Sequence, residues 1–302
     1  MSALLSSLLL MASSPAASFP EEAYEVVVSD EVRAVLAARD GLQGAEIAAQ
    51  LDDLFERGDD SAGELLGEAY NFGVLGLTAD DTRACDYFEK LADKRPDAAH
   101  NFATCYYNGR GRERDFAKAR VLYRQAGEGG WLMGQCAYGN MLVRGQGGPS
   151  DVAQGLAICR HAAELGDANA QADVGTYYLT GEFVTRDPVE ARKWLAMAGD
   201  QGQMNAAFLL AQIYQRGDGV DKDLAAARSW FIRAHEAGRN DAAYWVLALT
   251  VTGAMRDEGG NSTLDPAAFP EIRHWAALTI EHDPAPARRQ MATDMLNSLD
   301  GK

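Results

Sequence analysis

The chain has 302 residues, 47% of them hydrophobic, a balance that fits a folded protein of one domain or two. Its net charge is −16 and uneven: residues 1–97 hold 20 Asp and Glu against 7 Lys and Arg, the remaining residues 24 against 21. An acidic end repels phosphate backbones, which argues against nucleic acid as a partner; the simpler reading is a solvated N-terminal end, and the sharper one a docking face for a basic partner.

Residues 1–18 carry no charged side chain. Leu4, Leu5 and Leu8 to Met11 form a short apolar run, followed by small residues from Ala12 to Ser18. The pattern reads as a signal peptide cleaved near Ala16 or Ala17, although no Lys or Arg precedes the apolar run. It implies a periplasmic or secreted protein; without it the chain would be cytoplasmic. No Cys follows the run, which argues against a lipid anchor. No later segment has 18 uncharged apolar residues, so no membrane span is expected.

Tyr24 to Val28 is a short apolar stretch. Asp30 to Arg39 and Ala45 to Arg57 have helical patterns, and residues 19–60 are expected to form an N-terminal helical cap. Gly58 stands 72 residues before Gly130, so the second of these helices is expected to be an incomplete leading unit.

From there one period governs the chain. Gly73, Gly109, Gly145, Gly181, Gly217 and Gly253 stand 36 residues apart. A second series, Gly130, Gly166, Gly202 and Gly238, runs in the same phase, as does a small column, Ala62, Ala98, Gly134, Ala170, Ala206 and Ala242. The units fall near residues 62–97, 98–133, 134–169, 170–205, 206–241 and 242–283. In the fourth, Val174, Tyr177, Tyr178 and Gly181 lie at i, i+3, i+4 and i+7, one face of a helix A. The corresponding core positions elsewhere include Leu66/Ala69/Tyr70, Phe102/Cys105/Tyr106 and Leu210/Ile213/Tyr214. Beside them runs a column of small residues (Gly67, Ala103, Gly139, Gly175, Ala211) that permits close helix approach; the last unit has Leu247 there.

Each helix A is expected to stop at the glycine of the 36-residue series, which adopts positive φ without strain. A polar turn follows, ending in Asp115, Asp151, Asp187 or Asp223, candidate N-caps of a helix B. Pro188 suits the first helical position. Helix B carries Ala191, Trp194, Leu195 and Ala198 on its apolar face. The first unit has one extra residue before helix B, and the sixth is interrupted by an inserted loop over residues 254–270, so that Trp275 arrives nine residues late. Residues 284–302 read as a C-terminal capping helix.

The pattern LG-x-x-Y-x-x-G-x-G, then Asp, then KA-x-x-W-(Y/F)-x-KA and a closing Gly resembles the Sel1-like repeat family, relatives of the tetratricopeptide repeats. It is carried best by YNGRGRERDFAKARVLYRQAGEGG, YLTGEFVTRDPVEARKWLAMAGDQG and YQRGDGVDKDLAAARSWFIRAHEAG. The resemblance implies an all-α, right-handed α-solenoid of about six such helix-turn-helix repeats with helical caps, over residues 61–283. It implies a non-catalytic scaffold or adaptor that binds a partner polypeptide, in bacterial envelope biogenesis or signalling. A periplasmic regulator of a sensor kinase is the alternative. Cysteine-rich relatives linked to β-lactam binding or hydrolysis bridge helix B to the next helix A with a cysteine pair in almost every repeat. Here Cys136 alone is expected near such a place.

Dedicated chemistry is sparse. Gly109-Arg110-Gly111 and Gly217-Asp218-Gly219 do not follow strands and no G-x-x-x-x-G-K-S/T exists, so they read as turns rather than phosphate loops. DGVDKD lacks calcium-loop spacing. His100, His161, His235, His274 and His282 form no metal motif, and no catalytic residue, cofactor or metal is expected. Cys85, Cys105, Cys136 and Cys159 permit two disulfides in three connectivities; the simpler reading takes them as four small buried hydrophobes.

The candidate site is a surface. Positions 65, 68 and 72 of the first unit, offset from the core face of helix A, correspond to Asn101/Thr104/Asn108, Ala137/Asn140/Arg144, Asp173/Thr176/Thr180, Leu209/Gln212/Arg216 and Trp245/Ala248/Thr252, of which the polar members and Trp245 are the candidates. Helix A lines the concave face in relatives of this fold. These residues form a candidate partner-binding groove for an extended peptide, with Trp245 alternatively packed under the inserted loop.

Overall fold

The computed structural model describes residues 24, 27–38, 42–258 and 261–300, and the expected signal peptide lies outside them. The chain divides into two compact units, Met1–Ala170 and Gln171–Lys302. The first contains α1 (Asp30–Ala37), α2 (Gly44–Glu56), α3 (Asp60–Phe72), α4 (Asp81–Leu91), α5 (Pro96–Asn108), α6 (Phe116–Glu128), α7 (Leu132–Arg144) and α8 (Val152–Glu164). The second holds most of α9 (Ala168–Thr180), then α10 (Pro188–Asp200), α11 (Met204–Arg216), α12 (Leu224–Glu236) and α13 (Ala242–Ala254). After these come β1 (Met255–Glu258), β2 (Asn261–Leu264), α14 (Phe269–His282) and α15 (Pro286–Leu299). From α2 to α8, and again from α10 to α15, each helix packs on the next in chain order. This is the all-α helical-repeat solenoid that the period predicts.

The turn chemistry repeats with the sequence. Gly73, Gly109, Gly145, Gly181 and Gly217 follow the last residue of α3, α5, α7, α9 and α11 with φ of 64, 70, 64, 71 and 73°. Asp80, Asp115, Asp151, Asp187 and Asp223 each accept a hydrogen bond from a backbone N–H in the first turn of the following helix B. Their own N–H groups donate to the carbonyls of Tyr70, Tyr106, Leu142, Tyr178 and Tyr214. One bond thus closes each of these five hairpins and draws on the third position of its core triplet. Asp115→Ala should cost about 1 kcal/mol, the usual worth of such a cap, measured as a lower urea midpoint at unchanged slope.

The second glycine of the turns has a packing reason. A Cβ on Gly111 would lie 2.1 Å from the Asp81 carbonyl oxygen, and one on Gly147 2.1 Å from that of Phe116. Each turn therefore rests on the first residues of the helix B before it. Gly76 meets Gly44, at the start of α2, in the same way, which makes α2 the helix B of an incomplete leading unit.

Burial follows the columns. Leu66, Phe102, Leu210, Ile213 and Val246 are buried on the helix A side, and Phe88, Tyr123, Leu195 and Phe231 on the helix B side. In the third unit α7 and α8 approach backbone to backbone: a Cβ on Gly155 would meet the Gly139 carbonyl oxygen at 2.4 Å and the Val143 side chain at 2.7 Å. Gly155→Ala restores the residue preferred by the repeat pattern, yet here it should destabilise by about 1–3 kcal/mol through overpacking, visible in thermal melts.

Three expectations are corrected. The four cysteines are buried, as small hydrophobes would be, but they are paired: Cys85 to Cys105 and Cys136 to Cys159. The first bond joins helix B α4 to the next helix A α5, the kind of place where Cys136 alone was expected; the second ties α7 to α8 within one hairpin. Gly253 does not end its helix, because α13 runs on to Ala254 and passes into extended backbone at Met255 rather than turning. The inserted loop is an antiparallel β-hairpin, with Met255 opposite Leu264 and Glu258 opposite Asn261, followed by a short 3-10 turn at Pro266–Ala268. The insertion restores register: Trp275 stands seven residues after its N-cap Ala268, as Trp194 does after Asp187 and Trp230 after Asp223.

Candidate functional site

The offset helix A positions reach the surface to different degrees. In the first compact unit Arg144 and Asn108 are exposed, and Asn101, Thr104 and Asn140 half-buried. Thr104 donates its hydroxyl to the His100 carbonyl and lies 3.0 Å from the Tyr123 hydroxyl, whose pKa burial pushes up to about 12. In the second compact unit Arg216 and Thr180 are exposed, and Asp173, Thr176 and Gln212 half-buried. Thr176 and Thr180 donate to the carbonyls of Ala172 and Thr176, one turn back in their own helix. The Trp245 ring is half-buried, stacked on Phe231 with centroids 5.8 Å apart and set edge-on to Phe208. Trp245 is therefore held by helix B of the preceding repeat.

At the acidic end, the same helix A positions line a cavity of about 310 Å³. Leu65, Glu68 and Phe72 of α3 form one wall, with Asn101 of α5 and Trp131 and Met133 at the start of α7. Glu64, Arg95, Asp97 and His100 also face it; offset-column spacing does not select them, and sequence reading missed them. The one signal available beforehand was the Arg95-x-Asp97 pair, repeated four periods later as Arg239-x-Asp241 and ion-paired in both places.

The charges here are unequal. Asp97, 4% exposed, accepts from Arg95 Nη2 at 2.6 Å, from Arg95 Nε at 3.2 Å and from the Ala98 N–H at 2.9 Å. Glu64, 5% exposed, accepts from Asn101 Nδ2 at 2.8 Å through one oxygen, while the other, Oε2, has no partner among the described residues. Burial first, then the nearby Asp97 carboxylate, push its pKa up to about 8. Burial and Asp97 also raise Glu68. His100 is held neutral by burial, its pKa lowered to about 4. Its Nδ1 and the Trp131 Nε1 likewise lack partners among the described residues.

The Glu64 shift has a definite sign. A carboxyl raised in the folded state keeps a proton that the unfolded chain has released, so stability falls as pH rises from about 4.5 to about 8. Glu64→Gln removes that slope. Urea unfolding should show the variant near wild type at pH 4.5 and more stable at pH 8.

Among the described residues no group of three His, Cys, Asp or Glu is placed to hold a metal, and no helix is long and apolar enough to cross a membrane. The Sel1 repeat family model matches residues 64–95, 96–131, 132–167, 168–203 and 205–238, more than half of the chain; the interrupted sixth hairpin lies outside it. A Sel1 repeat protein from Oxalobacter formigenes is similar in structure at TM-score 0.61 and 23% identity, covering 86% of this chain and all of that one. A protective antigen present in uropathogenic Escherichia coli strains, displaying an SLR fold, is similar at 0.57 and 23%, over 89% of this chain and 56% of that one. An immunity protein from Pseudomonas aeruginosa is similar at 0.53 and 18%, over 72% and 88%. At these identities the likeness is one of fold. No curated protein sequence matches the chain. Sel1 repeat proteins are generally protein-interaction scaffolds, and the fold is typically non-catalytic. With five units matched in register with its glycine and aspartate columns, this chain belongs to the Sel1 repeat family.

Proposed function

We propose that the protein is a non-catalytic scaffold that holds a partner polypeptide on its helix A surface, in the service of bacterial envelope biogenesis or signalling. The observation that carries this reading is that, within each compact unit, most offset positions of the A helices are polar, with Arg144 exposed at the C-terminal end of α7 in the first unit and Arg216 at that of α11 in the second. Short polar side chains there suit an extended peptide bound through its backbone amides, with the two arginines favouring partner carboxylates. The working compartment is oxidising, periplasmic or extracellular. Two cysteine pairs within bonding distance support that placement, since cytosolic thiols are kept reduced.

The test is cross-linked capture from an envelope extract, with the recovered protein then made pure and titrated. Arg144→Glu combined with Arg216→Glu should weaken its binding by about tenfold or more, the scale of losing exposed charge contacts at an interface. Unchanged binding would remove the helix A surface from consideration. Recovery of a sensor-kinase ectodomain would make the protein that kinase's regulator rather than a passive scaffold.

A further inference from the structure

Three of the five buried polar atoms without a partner among the described residues, Glu64 Oε2, His100 Nδ1 and Trp131 Nε1, belong to side chains that line the one cavity between α3, α5 and the start of α7. A buried polar atom left unpaired costs roughly 1–3 kcal/mol, so their gathering around one cavity points to a ligand there, and Glu64 Oε2 and Trp131 Nε1 set its chemistry. We propose that this cavity receives the ammonium or guanidinium group of a Lys or Arg side chain presented by the partner polypeptide; the assignment rests on the scaffold reading above and names the chemistry of its partner.

Charge selects the ligand. Three carboxyl groups, Glu64, Glu68 and Asp97, face the cavity against one guanidinium, Arg95, which is already bonded to Asp97 through two nitrogens. An anion is repelled by this set, and an apolar group leaves Glu64 Oε2 unpaired. A metal ion is disfavoured because no three ligating side chains converge. An organic cation donates to Glu64 Oε2, with Glu68 beside it on the same wall, and meets the aromatic surfaces of Trp131 and Phe72. The Trp131 indole N–H needs an acceptor, which the backbone carbonyl of the same basic residue supplies. A residue within a chain satisfies both demands, whereas a free polyamine has no such acceptor. The surplus acid of residues 1–97 steers a basic segment to this end.

Binding is tied to proton release. The titratable and charged groups around Glu64 are Glu68 on its own helix, Arg95, Asp97 and His100 at the start of α5, and Tyr24 upstream. Arg95 stays charged, His100 stays neutral above pH 6, and Glu64 is the group that loses a proton when the cation enters.

The test uses the full chain, 15N-labelled, with the Trp131 indole resonance assigned by Trp131→Phe. The probes are acetyl-Ala-Arg-Ala-amide, its citrulline twin and spermidine. The arginine peptide should shift the Trp131 resonance saturably, with affinity rising about tenfold between pH 6 and pH 8. The citrulline twin and spermidine should each bind at least tenfold more weakly. Glu64→Gln should weaken the arginine peptide about tenfold and flatten its pH dependence, with Glu68→Gln as a second, surface-lying variant that weakens it less. Equal binding of the citrulline twin overturns the cation, equal binding of spermidine overturns the side-chain source, and no saturable shift with any probe overturns the site. The two readings separate cleanly. If the captured partner binds Glu64→Gln as well as wild type while Arg144→Glu/Arg216→Glu loses it, the cavity assignment fails and the helix A surface stands.

Discussion

Phe231→Ala should lower the unfolding free energy by about 3–5 kcal/mol, the range for a large aromatic truncated in a core that cannot close up. Phe231 is 0% exposed in α12. Phe208 lies edge-on to it at 5.1 Å and Trp245 stacks on it at 5.8 Å. The rest of its cluster is rich in alanines, among them Ala211, Ala227, Ala234, Ala242 and Ala243. The methyl group of an alanine is too short to swing into the void, so the cavity persists. In a repeat array each hairpin is supported by its immediate neighbours, and the damage should stay local. Hydrogen exchange should accelerate most in α11 to α14 and least in α3 to α7. A loss below about 1 kcal/mol, or one spread evenly along the chain, would show that Phe231 is not the support its burial implies.

Removing the disulfides should have the next largest effect, confined to the other compact unit. The Cys85–Cys105 and Cys136–Cys159 bonds close loops with sequence separations of 20 and 23 residues. Loops of that length confer about 3 kcal/mol each when the chain is unfolded. All four cysteines lie in Met1–Ala170, and no cysteine follows Cys159. Cys85→Ala/Cys105→Ala should therefore lower protection in α3 to α6, and Cys136→Ala/Cys159→Ala in α6 to α8. Protection in α11 to α14 should not move. A reductant should reproduce both effects at once, measured as a fall in the urea midpoint of the first compact unit alone.

Much of this architecture is readable in the sequence because it depends on local rules that recur. A glycine that accepts positive φ, an aspartate six or seven residues later and an Ala–aromatic helix face are each decided within one hairpin, and repetition makes them visible. Trp275 was readable as a helix B residue by its type and only its register needed the structure. The β-hairpin was less readable: Gly259-Gly260 between two short polar runs is a hairpin signal, but a helical period gives it no weight. Cysteine pairing could not be read at all, since Cys85 and Cys105 meet only because α4 packs on α5. The candidate surface was readable as polarity but not as valence. Thr176 and Thr180 are polar in sequence, yet their hydroxyls already donate to their own helix. Glu64 reads as an ordinary surface acid of α3, and its significance comes from burial, from Asp97 one repeat on and from an oxygen with no partner among the described residues.

Hydrogen exchange of the full chain with and without its purified partner tests the central claim most directly. Protection on binding should appear in peptides from the A helices, α3, α5, α7 and α11, including those that carry Glu64, Asn101, Arg144 and Arg216. Peptides from the B helices α6, α10 and α12 should exchange at the same rate in both states. Protection that falls on the B helices, or only on the β-hairpin of residues 255–264, would place the partner elsewhere and contradict the account.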